Sequence, residues 1–168
     1  GFGSGEHLVA QAEAHPEIGL IGAEPFVTGV AACLAGIDVA GVDNVRLHAD
    51  DARPLLAALP EASIGRVFVL QPDPWRKRRH WARRLIGPAG LDALARALAD
   101  GGELRISTDH AGYQAWMLRH LRADPRFEWL ARRADDWRIR PDDWPETRYA
   151  AKAEREGRPI AYFRFCRR

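Results

Sequence analysis

A chain of 168 residues has room for one hydrophobic core and too little for two comfortable ones. Its 46% hydrophobic and 29% charged residues exclude a wholly disordered segment, and no apolar run nears the ~18–20 residues of a membrane-spanning helix. The net charge of +2 hides an asymmetry: residues 76–84, RKRRHWARR, carry six of the 25 basic residues and no acid, leaving 19 bases against 23 acids elsewhere.

The chain opens on a glycine-rich turn, GFGSG, of the kind a strand normally feeds, and none precedes Gly1. Residues 5–15 are predicted helical, and the apolar run 18–23 fits a buried strand. A helix is expected over 26–36, with Val27, Val30, Ala31 and Leu34 on one face. A short strand at 45–49 and a helical turn at 52–59, stopped by Pro60, come next. RVFVLQ at 66–71, β-branched and aromatic, is the strongest strand signal. The loop PDPWRKRRH follows, and then a helix over 88–99 that starts at Pro88 and stops at Gly101-Gly102. ELRIST (103–108) is the next strand, and 111–123 the next helix, with Trp116, Leu118 and Leu121 as its core side. Residues 133–148 have little periodicity and read as a loop, while AYFRF (161–165) alternates as a final strand. Strands alternating with helices predict a three-layer α/β sandwich with a mostly parallel sheet and no internal domain boundary.

Gly1, Gly3 and Gly5 lead into a helix, and Glu24 ends the next strand. Glycines allow close backbone approach, a helix N-terminus favours a carboxylate or phosphate, and an acid at that strand end can accept from both ribose hydroxyls. This suits an adenosine-bearing cofactor, and Glu6, where a dinucleotide fingerprint wants its third glycine, tilts the pattern towards S-adenosylmethionine; a purely structural turn is the alternative. Asp50 and Asp51 follow the third strand, either to accept from an adenine amino group or to cap the helix at 52.

Asp73 lies between Pro72 and Pro74 and before Trp75, so the backbone around it is restricted. The basic run beside it suits phosphates, and Trp75 or Trp81 either stacks on a base or packs; a solvated charged face is the bland alternative. The six histidines have no metal-ligand spacing, no serine sits in a nucleophile elbow, and Cys33 and Cys166 make neither a zinc site nor a disulfide framework. A reducing cytoplasm is the expected location, with no metal and no membrane as partner.

PDPWRKRRHWARRL resembles the signature loop of the bacterial tRNA (guanine-N7)-methyltransferases, PDPW-x-K-x-RH-x-KRR. GFGSGE, IGAEPF, DDA, the STD of 107–109 and TRY with a downstream lysine at 147–152 match other pieces in the family's order. The resemblance implies a Rossmann-like class I methyltransferase, one domain over 1–168 whose first strand and N-terminal extension fall before Gly1. It implies S-adenosylmethionine as cofactor and guanine at position 46 in the variable loop of tRNA as target. Carried over by residue, Gly1, Gly3, Gly5, Glu24, Asp51, Ala52 and Asp73 would bind the cofactor, Asp73 also acting in catalysis. Lys77, Asp109, Thr147, Arg148 and Tyr149 would contact substrate, and Arg78, Arg79, Arg83 and Arg84 would contact RNA phosphates. Ala150 stands where the family usually has a glutamate, and Asp50 and Gln71 are not its usual occupants.

Guanine N7 has an in-plane lone pair and needs no deprotonation, so the implied catalysis is alignment plus electrostatic stabilisation of a purine gaining positive charge. A Rossmann-like methyltransferase for another substrate, and an RNA-binding module without catalysis, are the competing functions. The sequence carries no signal for monomer or homodimer.

Overall fold

The structure is a computed structural model and describes all residues from Gly1 to Arg168. The chain divides into two compact units, Gly1–Leu55 with Pro141–Lys152, and Leu56–Arg140 with Ala153–Arg168.

The first unit contains α1 (Glu6–Ala14), β1 (Leu20–Ala23), α2 (Val27–Ala40) and β2 (Val45–His48). β1 and β2 pair in parallel, Leu20 opposite Val45 and Ala23 opposite His48. Leu8, Ala12, Cys33 and Val45 form its core, with Phe2, Val9, Leu20, Ile37, Val42 and Leu47 against it. The two helices meet closely: a Cβ on Gly5 would lie 2.4 Å from Cys33 Sγ, and Gly5 itself has φ of +86°, which an L side chain rarely adopts.

The predicted face of α2 is displaced. Val27 and Leu34, expected inside, are 79% and 54% exposed, and Cys33 is the one fully buried residue of the helix. The sequence VTGVAACLAGIDVA is apolar nearly all round, so periodicity leaves its rotation open, and the small residues decide which side packs.

The second unit has a four-stranded sheet in the order β3 (Ile64–Leu70), β4 (Leu98–Thr108), β6 (Ala161–Arg167), β5 (Phe127–Trp129). β3 and β4 run parallel, whereas β6 is antiparallel to both β4 and β5. This unit's sheet is therefore mixed, with its parallel pairing between β3 and β4. A short 3₁₀ segment, Arg78–Arg83, then α4 (Pro88–Ala97) and α5 (Ala111–Ala123) complete this unit's regular structure, together with the short α6 (Asp135–Arg138). α3 (Ala52–Ala58) and α7 (Arg148–Arg155) run across the division of the chain.

α4 stops at Ala97 instead of reaching the glycine pair, because Gly101, at φ +78°, lies within a longer β4 that begins at Leu98. The expected loop at 133–148 contains α6 and the buried Trp144. In α5 the fully buried stripe is Tyr113, Met117 and Leu121, four residues apart, with Trp116 and Leu118 only partly buried beside it.

Across the sheet, Glu103 pairs with Arg105 and Arg164 at 2.7 Å each and with Arg66 at 3.4 Å. Burial pushes the Glu103 carboxyl up, but the hydrogen bonds from Arg164 and Arg105 outweigh it and hold it below the ordinary value. The core beneath is built on Leu94, Leu98, Leu104, Ile106, Phe163 and Phe165, all essentially inaccessible. Phe163 sits where Trp129 and Trp137 converge, with ring centroids 6.5 and 6.3 Å away. Phe163→Ala is therefore expected to cost ~3–5 kcal/mol through reduced burial and a residual cavity, read from denaturant unfolding curves.

Candidate functional site

In the first unit the glycine turn and Glu24 are joined. Glu24 is 5% exposed; its Oε2 accepts from the Gly3 amide at 2.8 Å and its Oε1 from the Phe26 amide at 3.0 Å. Each carboxylate oxygen keeps a lone pair, and a Cβ on Gly1 would stand in ordinary contact with Oε2, 3.6 Å away. Gly29, in the first turn of α2, makes this possible. A Cβ there would lie 2.5 Å from the Gly3 carbonyl oxygen and 3.2 Å from Glu24 Cγ, so only glycine lets α2 back onto the turn. Sequence reading did not single out Gly29; its signal was an isolated glycine inside an apolar helical pattern.

The segment Thr147–Tyr149 lies on the same turn. Arg148 Nη1 donates to Ser4 Oγ at 2.9 Å, with its Nε 3.8 Å from Glu6 Oε1, and the Tyr149 ring is 3.4 Å from where a Gly3 Cβ would stand. Thr147 Oγ1 accepts from the Ala150 amide at 3.1 Å and so caps α7. Ala150, at the position where a glutamate was expected, is 6% exposed.

Asp51 is engaged as a helix cap. Its Oδ1 accepts from the Arg53 amide at 2.8 Å, and the Arg53 guanidinium pairs with both carboxylate oxygens. The Arg53 hydrogen bonds hold the Asp51 carboxyl down at about 2. Ala52 opens α3, and Asp50 Oδ1 accepts from the Asp51 amide at 2.7 Å. The capping alternative for Asp51 is thus the one seen in this structure.

In the second unit β3 ends at Leu70 and the Pro72–Trp75 loop follows, bracketed by two non-glycine residues in the left-handed region, Gln71 at φ +48° and Trp75 at φ +42°. Such conformations cost ~1–3 kcal/mol each and persist only where surroundings fix them. Here the fixing group is Arg84. Only 7% exposed, it donates from Nε to the Pro74 carbonyl at 2.9 Å, and its guanidinium carbon lies 4.8–4.9 Å from the rings of Trp81, Tyr113 and Trp116. Arg84 was expected at a phosphate. Instead it is enclosed by aromatic faces and bonded to loop carbonyls, so it belongs to the scaffold of the loop.

The others of the run differ. Lys77, Arg78, Arg79 and Arg83 are exposed. Arg83 stacks over Trp75 at 4.8 Å, and the His80 ring meets Trp75 edge-on at 5.8 Å. Asp73 is exposed and makes no hydrogen bond or ion pair with the protein; its charge is felt by Tyr113, whose hydroxyl is pushed up to about 12, chiefly by burial.

Gln71 ties the loop to the end of β4: its amide donates to the Ser107 carbonyl at 2.9 Å and its Oε1 accepts from the Asp109 amide at 3.2 Å. Asp109 and Asp73 thus hang from neighbouring strand ends of one sheet. The Asp109 carboxylate is itself paired with Arg158, a partner the sequence did not indicate. No cluster of histidine, cysteine or acidic side chains could hold a metal ion, and no helix is long and apolar enough to cross a membrane.

Residues 1–163 match the family described as "Putative methyltransferase". A tRNA (guanine-N(7)-)-methyltransferase of Rhodospirillum rubrum is 59% identical over the whole chain, which covers 66% of that relative. One of Azorhizobium caulinodans is 51% identical over 99% of the chain, covering 73% of the relative. The chain thus spans about two thirds of the length of the curated relatives it matches. Among solved structures, an rRNA methylase from Streptococcus thermophilus shares the fold with a TM-score of 0.62 at 12% identity, over 99% of this chain and 82% of that one. A "putative methyltransferase" from Streptococcus mutans, solved in complex with SAH, aligns with a TM-score of 0.61 at 11% identity, over 100% and 85%. At the identity and coverage of the Rhodospirillum and Azorhizobium relatives, the chain belongs to the tRNA (guanine-N7)-methyltransferase family.

Proposed function

We propose that the chain transfers a methyl group from S-adenosylmethionine to N7 of a guanine in tRNA, at position 46 of the variable loop, in the cytoplasm. The observation that carries this reading is Asp73: an exposed, unpaired carboxylate on a rigidly held loop, beside a run of exposed cations, in a chain of this family. Glu24 fits the cofactor's ribose, since each of its oxygens is oriented by one backbone amide and has a lone pair left for a hydroxyl donor. Gly1, Gly3 and Gly5 leave room for close approach, and Asp51 and Ala52 stand for the adenine side.

When bound through Glu24 and the glycine turn, S-adenosylmethionine would supply an electrophilic sulfonium methyl, and guanine N7, with its in-plane lone pair, needs no deprotonation to accept it. What remains for the protein is positioning and charge. Asp73 faces the positive charge that the purine acquires in the transition state, and a preorganised carboxylate needs no reorganisation at that moment. Asp109 orients the guanine edge, released for this by Arg158. Lys77 lies close to the target nucleotide, Thr147, Arg148 and Tyr149 contact the substrate, and Arg78, Arg79 and Arg83 bind phosphates.

Glu24→Gln keeps the shape and removes the charge, so S-adenosylmethionine binding by calorimetry should weaken by ~1.5–3 kcal/mol; unchanged affinity in a folded variant removes Glu24 from the cofactor site. Asp73→Asn should lower single-turnover methyl transfer by about a hundredfold or more while tRNA affinity stays nearly constant. Survival of turnover would reduce Asp73 to a loop residue. Replacing Arg78 and Arg79 by glutamine should flatten the log–log salt dependence of tRNA binding by ~0.7–0.9 for each phosphate no longer neutralised, and weaken all tRNAs alike. An unaltered slope would return those two to ordinary solvated surface.

A further inference from the structure

Between the 3₁₀ segment and α5, within the second unit, lies a cavity of about 300 Å³ lined by Arg76, Trp81, Arg84, His110, Trp116 and Arg119, with Gly112 and Ala115 at its edge. The volume is at the small end of ligand sites. Its lining contains no carboxylate. Arg76 and Arg119 are exposed and have no partner in the protein, and Arg84 has only carbonyls and rings around its charge. Two exposed guanidinium groups, Arg76 and Arg119, thus border a space whose walls supply no compensating negative charge, with the enclosed Arg84 behind them.

The walls are aromatic. Trp81 and Trp116 lie 5.0 Å apart at an interplanar angle of 60°, and Trp116 is fixed by a 2.6 Å hydrogen bond from Nε1 to the Ile86 carbonyl. Trp81 Nε1 is buried without an acceptor in the protein. His110 is oriented as well: its Nδ1 accepts from the Tyr113 amide at 3.1 Å, which leaves the Nε2–H free to donate. Gly112 leaves the His110 ring its room, since a Cβ there would stand 3.2 Å from His110 Cε1. Outward from the cavity, α5 continues with Arg119 and Arg122 along a second, shallow depression.

Two exposed cations without counter-ions, the partly exposed indoles of Trp81 and Trp116 and the donor at His110 Nε2 together match a nucleotide: a phosphate for the guanidiniums, a base against the indoles and an acceptor for His110 Nε2. We infer that this cavity takes one unstacked nucleotide of the bound tRNA other than the methylated guanine, and that Arg119 and Arg122 on α5 extend the phosphate track begun by residues 76–83. The inference rests on tRNA being the substrate. It gives α5, whose inner stripe builds the core, an outer face with a separate duty.

The test is equilibrium binding of an unmodified tRNA transcript to the whole chain as a function of salt, for the parent, Arg119→Gln, Trp81→Leu and a charge-matched control, Arg132→Gln, on an exposed segment away from the cavity. Arg119→Gln is a surface change that leaves the fold intact, and it should reduce the salt slope by ~0.7–0.9 while Arg132→Gln leaves it unchanged. Trp81→Leu should weaken binding by about fivefold or more with an unchanged salt slope, as removal of a stacking platform does. Photocrosslinking of 4-thiouridine-substituted tRNA should place adducts on Trp81, Trp116 or α5. If the parent binds tRNA with a clear salt dependence and Arg119→Gln matches Arg132→Gln, the cavity is not a nucleotide site and the broader reading stands. If the parent binds no tRNA at all, both fall together.

Discussion

The buried guanidinium of Arg84 is the constraint on which the second unit's loop depends. A turn rich in proline has few amides to pair its own carbonyls, and the Pro74 and Trp75 carbonyls point inward here. Arg84 answers both from ten and nine residues further on, at 2.9 and 3.5 Å. Its charge is not neutralised by a carboxylate; the faces of Trp81, Tyr113 and Trp116 shield it instead. Removing such a group strands loop carbonyls that the fold has withdrawn from water, which is why the left-handed residues Gln71 and Trp75 can persist on either side. Asp73, between them, is exposed to solvent.

That arrangement separates residues that look alike in composition. Six bases within nine positions read as one basic patch, yet one is structural and five are exposed. Of those five, Arg83 is already stacked on Trp75, and Arg76 lines a cavity with α5. Charge counting cannot make this distinction, because it depends on which side of a 3₁₀ turn each residue faces. An aromatic neighbour at the right spacing is the only hint available in sequence, and here two of the three rings around Arg84 come from α5, some thirty residues away.

The alternation of strands and helices was legible because β-branched runs such as RVFVL and capped amphipathic segments such as 111–123 carry strong local signals. The face of α2 was not, since an almost uniformly apolar helix has no preferred side until a close contact selects one, and that contact is between Gly5 and Cys33. The length of β4 was also hidden: glycines at 101 and 102 stop a helix in an isolated reading, whereas pairing with β3 carries the strand through them. The glycine turn, Glu24 and Asp73 were singled out by type and position, and Asp109 through the family resemblance alone. Gly29, Gln71 and Arg158, the groups that hold them, act on residues distant in the chain and leave no local pattern.

The glycine turn does not stand alone in its unit. Arg148 and Tyr149 rest on it, with Arg148 bonded to Ser4 and paired to Glu6. The turn therefore meets the start of α7, and any movement of that segment changes the environment of Gly3. Position 150 points the other way: at 6% exposure it favours a small apolar side chain, since a carboxylate there would lose its hydration. Alanine at this position is thus consistent with local packing, and the polar contacts of the segment come from Thr147 and Arg148, one capping α7 and the other reaching the turn.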